Sequence, residues 1–317
     1  MGARRRETRR AGWATVMAVV LAVVAAACTP GTGTLGSGPW QWTEVRVNAF
    51  VRSQGLATDA TPLPGQSGDS WYTSQFTLEH AGPDGGSLGI TGSLPLDVLA
   101  IWKNSHTGDP DADGGRVVVP WENKQLGPSD PPTKSFGVYE PTSLQLLGWS
   151  KHVLGAGETN DNPWVAIAPG GSLMVTGTYS PLGHLEVYPV PAPPYADLPL
   201  VDTIPLDQPG YEVQGCDFVT ATRLACASND EATGKQLFLL DLDGPVGQAG
   251  NHAHLTYEGP IPQAAPLLGD GVSFCGDSGE VEGIDAQHVA GVGTVVRVLV
   301  VDRCLLVVHE YSHVIAD

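Results

Sequence analysis

Beyond residue 40 the chain alternates between short runs of β-branched, aliphatic and aromatic residues and clusters of Gly, Pro, Asn and Asp. Runs at 71–78, 116–119, 164–167, 173–176, 184–188, 236–242 and 294–301 have this character. Several alternate apolar and polar positions with period two, His184-Leu-Glu-Val-Tyr188 among them, which is the spacing of a strand with one buried face. Turn residues fall between the runs, as in Pro83-Asp-Gly-Gly86, Ala168-Pro-Gly-Gly171 and Asp243-Gly244. Long amphipathic helical patterns are hard to find, and 40 Gly with 26 Pro would make extended helices costly. Many evenly spaced short strands predict an all-β sandwich, barrel or propeller. The length exceeds that of one common sandwich. Six four-stranded blades would use about 46 residues each, so the expectation is a six-bladed β-propeller over residues 40–317.

The first 40 residues break this pattern. Arg4, Arg5, Arg6, Arg9 and Arg10 precede an uncharged stretch, 11–27, that ends in Ala25-Ala26-Ala27 before Cys28. A basic n-region, an apolar h-region and a small-residue cleavage site are the marks of an export signal, assigned to residues 1–27. A membrane-spanning helix needs roughly 20 apolar residues, and this run is shorter and closes on small side chains. Arg9-Arg10 fits twin-arginine export poorly. Residues 28–39, rich in Gly, Ser, Thr and Pro, cannot bury a core and read as a flexible tether.

Removing the signal takes away five arginines and Glu7 from the 16 basic and 34 acidic residues, which leaves 11 and 33 and a formal charge of −22. Such a surface repels nucleic acid, so no nucleic-acid partner is expected. Four cysteines remain after Cys28, an even number in an exported chain, and three pairings are open. Cys216–Cys226 and Cys275–Cys304 are favoured. Folding a hairpin about Ala221 sets residue 216 opposite 226, where Cβ atoms are close. No C-x-x-C spacing suggests a thiolate metal site.

The run Val24-Ala-Ala-Ala-Cys28 resembles a bacterial lipobox, with Ala25 where Leu is preferred. The resemblance implies a diacylated Cys28 that holds the protein on the outer face of the cell membrane, two acyl chains giving stable anchoring. A second resemblance lies in the folded part. His106-Thr-Gly-Asp109 followed by Gly115-Arg-Val-Val-Val-Pro120 is similar to the H-x-G-D … G-x-ψ-ψ-V-P segment of bacterial secreted β-propellers, of which actinobacterial lipoproteins are a type. Trp164-Val-Ala-Ile-Ala-Pro-Gly-Gly171 with Leu173-Met-Val-Thr176 resembles a blade hairpin of that group. Val213-Gln-Gly-Cys-Asp-Phe218 and Glu280-Val-Glu-Gly-Ile-Asp285 resemble later blades. The resemblance covers most of 100–310 and implies a fold and an extracellular setting, without a reaction. It also implies that the 106–109 segment lies near the central channel, where Glu282 from another blade would join it.

His106, Asp109 and Glu282 are therefore the candidates for chemistry, as metal ligands or a general base. Asp109, Asp111 and Asp113, at alternate positions before Gly114, are candidates for a calcium site, calcium being the cofactor considered. The alternative is a solvated acidic turn, and an EF-hand fails because its twelfth position is Pro120. His309-Glu-Tyr-Ser-His313 matches H-E-x-x-H, but its flanks favour a strand, along which four residues span about 13 Å, too far for two imidazoles to share zinc. Ser278, in Cys275-Gly-Asp-Ser-Gly-Glu280, lacks an upstream histidine motif and reads as a turn residue. The numerous tryptophans are expected to pack between blades. The sequence thus favours a membrane-anchored binding or scaffold propeller for an extracellular protein or small molecule. A metal-dependent hydrolase or lactonase using channel carboxylates is the alternative.

Overall fold

The computed structural model describes residues 33–36, 41–48, 52–58, 68–94, 104–113, 115–123, 132–230, 232–262, 279–289, 291–302 and 307–315. The segment expected to be an export signal, Cys28, Cys275, Ser278 and Cys304 lie outside them. Every regular element among the described residues is a strand. β1 (Gly33–Gly36) lies inside the segment expected to be a tether and pairs with β2 (Gln41–Asn48).

The next four groups are antiparallel meanders. Blade I is β3 (Gly55–Thr58), β4 (Ser70–Thr73), β5 (Thr77–Ala81) and β6 (Ser87–Gly92). Blade II has an inner position shared by β7 (Asn104–Thr107) and β8 (Asp111–Asp113), both paired with β9 (Arg116–Asn123), then β10 (Thr133–Tyr139) and β11 (Leu146–Val153). Blade III is β12 (Ala166–Ile167), β13 (Leu173–Thr176), β14 (Leu182–Pro189) and β15 (Asp202–Gly210). Blade IV is β16 (Val213–Thr220), β17 (Arg223–Ser228), β18 (Gln236–Leu242) and β19 (Ala253–Pro260). The closing blade joins the two ends of the chain: β20 (Glu280–Val289), β21 (Gly293–Asp302) and β22 (Val307–Ile315) continue through β2 to β1. Arg46 of β2 stands opposite His309 of β22.

Contacts among the innermost strands run β3 to β8, β8 to β12, β12 to β16, β16 to β20 and β20 back to β3, which closes a ring. The apolar core divides the same way. One cluster (Trp71, Leu78, Val117, Trp121, Tyr139) joins blades I and II, and another (Val118, Phe136, Met174, Tyr188) joins II and III. Trp164, Leu185, Phe218 and Phe238 join III and IV. Ala225, Leu237, Ile284, Val298 and Tyr311 join IV and the closing blade, and Leu56, Tyr72, Leu299 and Val308 complete the circuit. Each sheet thus buries both faces against its neighbours, which a single sheet of such short strands cannot do alone.

The fold is an all-β propeller, with five blades among the described residues where six were expected. Dividing chain length by blade length counted inter-strand connections as blade, and it did not foresee that β2 completes the last sheet. Burial falls from the ring outward, β5 being almost wholly buried while the edge strand β6 is mostly exposed. The expected turn at Ala168–Gly171 forms with Gly170 at φ 107° and Gly171 at φ 68°, conformations that need glycine, and the Gly171 N–H donates to Ala168 O at 3.0 Å.

The β16–β17 hairpin turns around Ala221, sets Cys216 opposite Cys226 and carries a disulfide between them. Blades III and IV share more than their core. Their outer strands β15 and β19 meet in parallel at Leu206 and Ala253, so the two blades form one eight-stranded sheet. The Gln208 side chain donates to Leu255 O at 2.9 Å, and Asp207 accepts from the Leu255 N–H at 3.1 Å.

Candidate functional site in the central channel

Pro110 follows Asp109 and has no N–H to give a ladder, and the inner strand of blade II breaks here into β7 and β8. Asp109 occupies the break. Its backbone bridges in parallel to Trp164, its N–H donating to Pro163 O at 2.8 Å and its C=O accepting from the Val165 N–H at 3.1 Å. The side chain points across the channel. Oδ1 accepts from the Leu56 N–H of β3 at 2.8 Å, and Oδ2 from the Ile284 N–H of β20 at 3.0 Å. One buried carboxylate therefore ties together three inner strands.

Three glycines make room for it. A Cβ at Gly283 would stand 2.5 Å from Asp109 Oδ1 and 2.7 Å from Gly55 Cα, one at Gly55 would stand 2.5 Å from Asp109 Cα, and one at Gly215 would overlap Oδ2. Burial raises the Asp109 pKa well above the carboxylate range; the two N–H donors oppose the rise, and the charges of Asp285 and Asp111 add to it.

Asp109 and Glu282 both lie at the channel, the Gly283 that follows Glu282 packing on the Asp109 carboxylate. Glu282 belongs to β20, one residue before Gly283, and is 8% exposed. Among the described residues its one hydrogen bond is a long one, from Gln54 Nε2 to Oε2 at 3.4 Å. Burial raises its pKa well above the usual value, the Asp109 charge adds to that, and Lys235 counteracts it. His106 lies on β7 with its backbone opposite Glu122.

Glu282 lines a 280 Å³ cavity at this mouth of the channel. The wall carries three further carboxylates (Glu122, Asp161, Glu280) and three amides (Gln54, Asn162, Gln214). Tyr179 completes it, its hydroxyl pushed up to about 12 by burial and the neighbouring carboxylates of Glu212 and Glu282.

At the opposite mouth the inner strands place Asp111, Asp113, Asp217 and Asp285 around a second cavity of 290 Å³, with Thr58 and Gln287. Here too the carboxylates reach across blades. Asp111 accepts from the Ile167 N–H, Asp217 from the Ala286 N–H at 2.7 Å, and Asp285 from the Thr58 N–H at 2.8 Å. Asp113 instead pairs with Arg116 at 2.8 Å, and that guanidinium also donates to Gly171 O. The three carboxylates expected to wrap calcium are thus turned to different partners: Asp109 to the amides of Leu56 and Ile284, Asp111 to Ile167, Asp113 to Arg116. Among the described residues no group of three or more His, Cys, Asp or Glu is placed to hold a metal ion.

This second ring has a consequence for stability. Burial first, then the charges of Asp285 and Asp113, push Asp111 up to about 8. Burial, with Asp111 and Asp285, raises Asp217 as well. A carboxyl whose pKa is higher folded than unfolded contributes stability below its unfolded pKa, 3.8 for Asp111, and loses it as pH climbs through its folded value. Urea midpoints should therefore fall between about pH 5 and pH 9, less steeply in Asp217→Asn. A wild-type midpoint that rises across this interval would contradict the assignment.

His309 and His313 lie on β22, a strand as expected, with the His309 ring stacked on Tyr311 at 6.0 Å. Trp71, Trp121 and Trp164 are core residues between blades. Sequence reasoning missed Asp217 and Asp285 as channel groups, although a shared spacing marks them: Gln214-Gly-Cys-Asp217 and Glu282-Gly-Ile-Asp285. It also missed Gln54-Gly55, the third Gln/Glu-Gly pair of the ring.

No protein-family model matches this chain, and no curated protein does. Among solved structures, the WD40 repeats of RRP9 align over 86% of this chain and 84% of theirs, with a TM-score of 0.41 and 10% identity. A protein of unknown function from Bacteroides caccae aligns over 86% of this chain and 90% of its own, with a TM-score of 0.41 and 10% identity. The strand order and the closed ring of inner strands make the molecule a propeller independently of these alignments.

Proposed function

We propose that this chain is a ligand-binding propeller displayed on the outer face of a bacterial membrane by a lipid on Cys28, taking its ligand at the mouth around Glu282. One observation carries the binding reading: Glu282 is more than nine-tenths buried, faces a cavity, and among the described residues has a single 3.4 Å hydrogen bond. Buried polar groups in folded proteins are normally well partnered, so a carboxylate left short of donors at a cavity wall suits a ligand that supplies them. The export setting is supported by the signal and lipobox, and by a disulfide of the kind that persists outside the reducing cytoplasm.

Of Asp109 and Glu282, only Glu282 lines the cavity. Asp109, its nearest partner in chemistry, has both oxygens committed to backbone amides. Two measurements test the proposal on the full chain. Cys28→Ala should move the protein from the membrane fraction to the soluble one. A thermal-denaturation screen over small polar molecules should give saturable stabilisation that is lost in Glu282→Ala. Turnover of an ester or lactone by the wild type, abolished in Glu282→Gln, would replace binding with catalysis.

A further inference from the structure

We infer that the group held at the Glu282 mouth is a protonated primary amine, an inference that rests on the binding reading above. The walls present carboxylates, amide groups and one phenol around a buried, under-partnered carboxylate. An ammonium offers three N–H donors and no acceptor, which is the complement of such a wall. It also carries the charge that a desolvated carboxylate needs. A neutral polyol brings as many acceptors as donors and leaves that charge unmatched.

The depth of the site is fixed from behind. Asp109 and the glycines around it close the channel, and the Asp109 oxygens are already filled by the Leu56 and Ile284 amides. A ligand therefore ends at Glu282 instead of passing through. The 280 Å³ cavity suits an amine head on a short alkyl stem, its remainder directed outward. A free diamine and a lysine side chain of a peptide share this chemistry.

The charged and titratable groups around Glu282 come from every adjoining wall: Asp109 behind it, Glu280 on its own strand, Glu122 from β9, Asp161 and Tyr179 from blade III and the segment before it, and Lys235 from the residue just before β18. Lys235 is outside the cavity lining, and its charge already favours the ionised carboxylate. An ammonium entering the cavity acts in the same sense, and binding draws a proton off Glu282. Affinity consequently rises with pH until the amine itself deprotonates.

The test is calorimetric titration of the full chain with 1,5-diaminopentane, with Nα-acetyl-lysine methylamide, and with 1,5-pentanediol as the uncharged isostere. Both amines should bind, or the one matching the natural source alone, while the diol does not. Affinity should grow as pH rises above the ordinary carboxylate range, and Glu282→Gln, isosteric and expected to fold, should weaken it by about tenfold or more. Gln214→Lys, at a half-buried wall position, supplies a competing cation and should weaken it likewise without touching Glu282. Binding of the diol as tight as the diamine, amine binding unchanged in both variants, or no amine binding at all would overturn the inference. A neutral molecule that binds in a Glu282-dependent way would do so while leaving the binding reading intact. Absence of binding by every molecule in the screen would remove both.

Discussion

Lys134→Met should cost the propeller about 3–5 kcal/mol, the largest loss expected of any single substitution discussed here. Lys134 lies on β10 with none of its side chain exposed, and its Nζ stands 2.8 Å from Glu186 Oε2 of β14. The pair is sealed between blades II and III. The Tyr188 hydroxyl donates to the same Glu186 oxygen at 2.7 Å, and His184 Nε2 lies 3.8 Å from the other. Burial and the Glu186 charge hold the Tyr188 proton on its oxygen far above the usual phenol range. Removing the lysine leaves a desolvated carboxylate whose remaining neighbours cannot neutralise it. Breaking one half of such a pair is far more harmful than removing both. Urea melts should therefore show Lys134→Met with Glu186→Gln recovering most of the loss. A single variant within about 1 kcal/mol of wild type would refute the account.

Gly215→Ala should be nearly as damaging, by roughly 3 kcal/mol, because its methyl would occupy the space of Asp109 Oδ2. The carboxylate has no easy retreat, since its other oxygen is held by Leu56 and Gly55 and Gly283 crowd it on two further sides. The severe clash is with one removable side chain, Ile284 Cγ2 at 3.0 Å being the lesser contact, so the effects should be strongly non-additive. On an Asp109→Ala background the same Gly215→Ala change should lose most of its effect. Gly183 is the control: a Cβ there meets nothing within 4 Å, and Gly183→Ala should stay within about 0.5 kcal/mol of wild type. Equal losses at Gly215 with and without Asp109 would separate the glycine from the carboxylate.

How far the sequence discloses this structure depends on whether a feature is local. The β16–β17 hairpin is local: alternation and the turn at Ala221 place Cys216 opposite Cys226, as observed. The strand character of His309 to His313 was readable from the aliphatic flanks for the same reason. The expectation that Asp109 and Glu282 converge came from motif resemblance, and no periodicity argument would have joined residues so far apart in sequence. The blade count was not readable, because strand β2 belongs to the sheet made by the last part of the chain, and nothing in its composition says so. The link between β15 and β19 rests on a single paired position, Leu206 with Ala253, too slight to leave a pattern. At the site, alternate aspartates near 109–113 suggested a cation loop. In the fold their oxygens hold together neighbouring inner strands or pair with Arg116, and what distinguishes those uses is set by the ring around them.

The seam between β2 and β22 bears on how the molecule is made. In order of synthesis β2 comes before blade I, and its hydrogen-bonding neighbour β22 comes after blade IV. Until β22 arrives, the side of β2 away from β1 is an open edge that can pair with other chains. The nascent protein therefore has reason to stay guarded until β22 is made, and closing the ring joins strands separated by four blades, which slows that step.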